Sequence, residues 1–162
     1  KFLETISLVT DFDSGNLKFF RRFNMQISAR NQLLGIIQKI EIEKVSATIY
    51  VKLKSGYVMT SVITVGAIEN LGLKENDEVI VIIKSNSIFF SKDEKINISA
   101  RNKLNGIIES IHLGEINAEV ILNVNGDLIA GIITKNAIDE LGLKVTDKAT
   151  AIIKSSDVMI GK

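Results

Sequence analysis

Between residues 47 and 53 apolar and polar side chains alternate: Ala47, Ile49, Val51 and Leu53 fall on one side of an extended chain, and Thr48, Tyr50 and Lys52 on the other. Successive side chains of a strand point to opposite faces, so this period predicts a half-buried β-strand. Residues 58–63 follow as its hairpin partner across the turn Lys54-Ser55-Gly56, and residues 35–42, with looser alternation, precede it as another strand. Thr64 then stands before Val65–Leu71, where Ala67, Ile68 and Leu71 recur at helical spacings of three and four, and Gly72 supplies a C-terminal stop. Residues 78–84 form a strongly apolar strand and residues 88–90 a shorter one. Three strands, a short helix and two more strands are the order of a small five-stranded OB-like barrel.

The same order then occurs a second time. Ile27-Ser28-Ala29-Arg30-Asn31 returns as Ile98-Ser99-Ala100-Arg101-Asn102, 71 positions on. Farther along, Leu71-Gly72-Leu73-Lys74 returns as Leu141-Gly142-Leu143-Lys144, and Ile82-Ile83-Lys84-Ser85 as Ile152-Ile153-Lys154-Ser155, 70 positions on. The one-residue slip falls at the turn near Ser55 and Asn125, where a deletion costs least. The expected fold is all-β: two tandem OB-like five-stranded barrels, each with a short helix, over residues 25–92 and 93–162. A unit of that size has little core of its own, so the two copies are expected to pack together and the protein to form a homodimer. Residues 1–24 differ. Phe2, Ile6 and Val9 are spaced like one helix face and Leu17 and Phe20 like another, with a break at Asp13-Ser14-Gly15-Asn16. They predict a helical arm, packed on the barrels or on a second subunit, that connects to a preceding domain.

Composition agrees with sheet and narrows the chemistry. Of 162 residues 27 are isoleucine, and there is neither Pro nor Trp; β-branched side chains suit a pleated, half-buried surface. The net charge of +1 argues against a nucleic-acid-binding surface within the chain. Without cysteine and with His112 alone, there is no disulfide framework, thiolate centre or imidazole zinc site. Apolar runs are far too short for a membrane span, and no signal peptide is visible. A chain that starts at Lys1 reads as a cytoplasmic fragment of a longer protein. No nucleophile–base pair, metal cluster or phosphate loop points to an enzyme.

Polar residues kept in both copies carry the most information. They are Ser28/Ser99, Arg30/Arg101, Asn31/Asn102, Thr64/Thr134, Asp77/Asp147, Lys84/Lys154 and Ser85/Ser155. Asp77 and Asp147 stand at a turn before a strand and read as turn residues. The others are hydroxyls, amides and cations with no shared carboxylate, a set of donors that suits an oxyanion and not a metal cation. Thr64 and Thr134 hold the N-cap position of the short helix, and Ala67 or Ala137 stands where a capping box would place a Glu or Gln. Lys84-Ser85 ends a strand, and the Ser-Ala-Arg-Asn block begins each repeat.

Taken together, Ser-Ala-Arg-Asn-(Gln/Lys)-Leu-x-Gly-Ile-Ile, Ile-Thr-x-x-Ala-Ile-x-x-Leu-Gly-Leu and Ile-Ile-Lys-Ser resemble the molybdenum-binding Mop motif, the molbindin or TOBE-type domain. The resemblance covers residues 27–160 in two copies. Residues 2–24 resemble the linker of the ModE family of molybdate-responsive transcription regulators, in which a winged helix-turn-helix domain precedes two Mop copies. That domain is absent from this chain, so DNA would be reached only through it. The resemblance implies a molybdate or tungstate oxyanion bound at subunit interfaces. Its implied contacts are Ser28, Ala29, Arg30, Asn31, Thr64, Lys84 and Ser85 in the first copy. In the second they are Ser99, Arg101, Asn102, Thr134, Lys154 and Ser155. The family weights the first copy, although here the second keeps every block. A hydroxyl that some members place three residues after the threonine is replaced by Ala67 and Ala137. The implied function is the effector domain of a regulator, with the ligand changing the dimer; the alternative is a two-copy molybdate store.

Overall fold

The computed structural model describes residues 26–162, so the arm expected over residues 1–24 lies outside the described residues. The first repeat runs β1 (Asn31–Ile42), β2 (Ser46–Leu53), β3 (Val58–Thr64), α1 (Val65–Leu71), β4 (Glu78–Ile83) and β5 (Ile88–Ser91). The second runs β6 (Asn102–Leu113), β7 (Asn117–Val124), β8 (Asp127–Thr134), α2 (Lys135–Leu141), β9 (Lys148–Ile153) and β10 (Val158–Gly161). In β2 the buried residues are Ala47, Ile49, Val51 and Leu53, the apolar half of the alternation. Strand β1 starts four residues earlier than its alternation suggests. Asn31 to Ile36 pair with β4 and Gly35 to Ile42 pair with β2, the second ladder being interrupted by a register shift between Ile37 and Lys39. A bulge of this kind bends a strand, so one long strand serves two neighbours. Ahead of the bulge, where β1 pairs with both neighbours, Gly35 packs where an added Cβ would lie 2.4 Å from Val51.

All pairings are antiparallel, and the strands form two curled five-stranded sheets, β10-β4-β1-β2-β3 and β5-β9-β6-β7-β8. The all-β architecture with a short helix in each unit is therefore as the sequence predicts. The fifth strand of each unit is not its own: β5 pairs with β9, and β10 pairs with β4. The division at residues 92 and 93 separates the repeats in sequence, whereas each sheet takes four strands from one repeat and one from the other. A continuous buried cluster from Leu33 to Ile160 unites both repeats in one core, with Ile37, Ile83, Ile108 and Ile153 fully enclosed.

A matched pair of lysines fastens the exchanged strands. Past β5, Lys92 Nζ donates to Gly142 O at 2.9 Å and lies 3.0 Å from Asp147 Oδ2. Past β10, Lys162 Nζ donates to Gly72 O at 2.9 Å and to Asp77 Oδ2 at 2.8 Å. Gly72 and Gly142 close α1 and α2 at φ 57°, a left-handed conformation that glycine adopts without a Cβ penalty. Asp77 and Asp147 also accept the backbone N–H of Lys74 and Lys144, which is the predicted turn role. The Lys162 and Lys92 hydrogen bonds, first among the causes, hold both carboxyls below the usual carboxylate range.

Candidate oxyanion site

Strand register explains why the two donor blocks meet. Asn102 at the start of β6 pairs with Ile153 at the end of β9, so the residues just before β6 must lie beside those just after β9. The pairing of Asn31 with Ile83 does the same in the first repeat. In the second repeat Ser99, Arg101, Lys154 and Ser155 line one cavity of about 330 Å³. Ile98, Ala100, Ile152 and Ser156 complete it, together with Phe89 from the exchanged β5. Three serines, an arginine and a lysine thus border one cavity, and no carboxylate is among the lining residues. Ser85 and Ser155 each open a single 3₁₀ turn, preceded by Lys84 and Lys154 in extended backbone. Ser28, Arg30, Lys84, Ser99, Arg101 and Lys154 are exposed, where long cationic side chains can reach a ligand. A larger cavity of about 770 Å³ opens beside Leu34, Ile36, Val79 and Ile80, and none of the predicted donors lines it.

The remaining predicted residues are placed differently. Thr64 and Thr134 cap α1 and α2, their hydroxyls accepting the Ala67 and Ala137 N–H groups at 3.2 and 3.1 Å. A hydroxyl that accepts still has its own hydrogen to donate, but neither threonine lines the cavity. Ala29 is buried in a small cluster with Ile80 and Ile82, which anchors the block ahead of Arg30.

The side-chain amides of Asn31 and Asn102 turn inward. Asn31, 2% exposed, donates through Nδ2 to Ala130 O (2.9 Å) and Ile83 O (3.2 Å) and accepts Ala130 N–H at 2.7 Å. Asn102, 3% exposed, accepts Thr60 N–H at 2.7 Å and donates to Thr60 O at 2.9 Å. Each amide bonds the backbone of an outer strand of the opposite repeat, so these side chains clamp the repeats together. Lys92 and Lys162, which clamp the exchanged strands, were not among the predicted residues; their identity at a spacing of 70 was the available signal. Among the described residues no group of His, Cys, Asp and Glu could hold a metal ion, and no helix is long and apolar enough to cross a membrane.

Residues 27–90 and 98–160 each match the TOBE domain. A protein named molybdenum transport protein ModE, from Azotobacter vinelandii, is 31% identical over 94% of this chain and 58% of its own length. The ModE named as a DNA-binding transcriptional dual regulator in Escherichia coli K12 is 30% identical over 86% of this chain and 53% of its own length. The chain therefore spans about half the length of these curated relatives. Among solved structures, the cytoplasmic molybdate-binding protein ModG with molybdate bound is 35% identical, with a TM-score of 0.81, over 85% of this chain and 99% of that one.

Proposed function

The chain belongs to the TOBE-domain family, in two tandem copies, and from that premise we propose that it binds molybdate or tungstate as the effector portion of a ModE-type transcription regulator. One observation carries the reading: Ser99, Arg101, Lys154 and Ser155, from two separate blocks of sequence, line a single cavity. A tetrahedral dianion presents four oxygens, each an acceptor. Two cations would neutralise it, and the serine hydroxyls would direct its remaining lone pairs. Charge-assisted hydrogen bonds contribute roughly 1.5–3 kcal/mol each; three or four, less desolvation, reach micromolar affinity or better. Sulfate has the same charge and shape, so discrimination would rest on cavity size. Thr64 and Thr134 would act from a neighbouring copy of the chain, which places the ligand at a subunit interface and lets it shift the dimer. A coupling of about 1–3 kcal/mol is enough for such a switch. Ser28, Arg30, Lys84 and Ser85 would form the equivalent site in the first repeat. DNA contact would belong to a domain ahead of residue 1, and the setting is cytoplasmic, as named for ModG. The role is binding, not catalysis.

The match to the Azotobacter protein covers 94% of this chain and must extend ahead of Ile27, which favours the regulator. The reading as a molybdate store is favoured by ModG, matched over 99% of its own length by the two repeats. Calorimetric titration with molybdate, beside sulfate and beside Lys154→Ala, tests the shared claim. Micromolar binding of molybdate that sulfate does not reproduce, weakened tenfold or more by the substitution, is expected. A folded protein that takes up neither molybdate nor tungstate would refute it.

A further inference from the structure

The two arginines of the candidate sites do not have the same surroundings. Arg30 Nε donates to Glu119 Oε1 on β7 of the other repeat at 3.1 Å. The residue at the matching place in the first repeat is Thr48, which has no charge to offer Arg101. Among the described residues no ion pair engages Arg101. Glu41 lies near enough to feel the charge of Arg101, but that carboxylate is already held by Lys39 and by the Tyr50 hydroxyl at 2.9 Å. In the second repeat the places of Lys39 and Tyr50 are taken by Ser110 and Ile121, and that of Glu41 by His112. Ser110 Oγ lies 3.3 Å from His112 Nε2, and neither group is bonded to Glu119. Glu119 therefore has Arg30 as its partner, while Glu41 has two partners that keep it off Arg101.

Resting on the oxyanion reading above, we propose that Glu119 is an internal competitor that makes the two sites unequal. The site of Arg101, Lys154 and Ser155 fills first, and that of Arg30, Lys84 and Ser85 fills only when the anion displaces the carboxylate. Two effects act in one direction. The anion must break an ion pair, and the released carboxylate then stands close to a dianion. Exposed ion pairs and like-charge neighbours of this kind alter affinity by about three- to tenfold.

The test is a reciprocal exchange read by molybdate calorimetry on the full chain. Wild-type protein is expected to bind two anions per chain, one of them three- to tenfold more weakly than the other. Glu119→Thr should strengthen the weaker phase by three- to tenfold. Thr48→Glu should weaken the stronger phase, which Arg101→Ala should remove while leaving the weaker one. Circular dichroism and unfolding midpoints establish that each variant is folded. Two equal sites in wild type, or a weaker phase unmoved by Glu119→Thr, would overturn the competitor while leaving oxyanion binding intact. No binding in wild type and Glu119→Thr alike would overturn both.

Discussion

Replacing Asn31 by alanine tests the clamp between the repeats. The side chain makes three hydrogen bonds of 2.7–3.2 Å, two of them to the N–H and C=O of Ala130. Strand β8 is the last of its sheet, so these two groups face away from β7, and the asparagine occupies the place of a missing neighbouring strand. Ala130 is 5% exposed, and truncation at Asn31 would leave a buried donor and a buried acceptor without partners. Each costs about 1–3 kcal/mol, and partial hydration brings the expected loss to roughly 2–4 kcal/mol. At a urea dependence of about 1–3 kcal/mol per molar, the unfolding midpoint should fall by about 1–2 M. The slope should stay constant, because both sheets share one core and unfold together. Asn31→Asp is the sharper variant. It can still accept the Ala130 N–H, but it loses both donated bonds and sets a carboxylate against the carbonyls of Ala130 and Ile83. It should therefore be less stable than Asn31→Ala. A loss under about 0.5 kcal/mol, or aspartate and alanine variants of equal stability, would refute the clamp.

Two further outcomes follow from local geometry. Thr146 holds a left-handed φ of 75°, unfavourable for a β-branched residue, at the place where the first repeat has Asn76 at 71°. Thr146→Asn should stabilise the protein by about 1 kcal/mol, visible as a higher melting temperature; an unchanged or lower one would show that the strain is not real. Asp77 and Asp147 titrate below their ordinary range because Lys162 and Lys92 bond to them. A lowered folded value means that their stabilisation is complete above about pH 4 and is lost as the pH falls through that value. Unfolding midpoints at pH 6 and pH 3 should differ more in wild type than in Lys92→Met/Lys162→Met, and equal differences would refute the latch.

What the sequence reveals of the site depends on whether a residue acts along its own strand or across to the other repeat. The blocks Ser99-Ala100-Arg101 and Lys154-Ser155 flank strands that are neighbours in any antiparallel arrangement of this repeat, so their meeting could be anticipated. The helix caps were legible for a similar reason, since Thr64 bonds only three residues ahead and Gly72 needs only its own φ. Asn31 and Asn102 were legible as retained donors but not in their role. An asparagine that completes an outer strand and one that holds an anion have the same local sequence, and only the position of β8 or β3 separates them. Glu119 escaped notice for the opposite reason. It is not retained, and a partner 89 residues away leaves no mark on periodicity.

The exchange of β5 and β10 was hidden more deeply, because each is four residues long and fits the alternation of either sheet. What assigns each strand to its sheet is side-chain volume. Phe90 of β5 packs over Gly131 of β8, where an added Cβ would lie 2.4 Å from the ring. The first repeat has Ser61 at the place of Gly131, and the opposing strand there carries Ile160 at the place of Phe90. Ser61 is fully buried and donates to Val158 O of β10 at 2.6 Å. If β5 folded back onto its own repeat, the phenylalanine ring would meet the Cβ and hydroxyl of Ser61. In the same rearrangement Ile160 would leave a void above Gly131. Overpacking and void formation both destabilise a core, so the small residue of one repeat and the large residue of the other together specify the exchanged pairing. Neither residue signals this by itself. The information lies in the difference between two copies that are otherwise alike, and it becomes readable only once the strands are seen to cross.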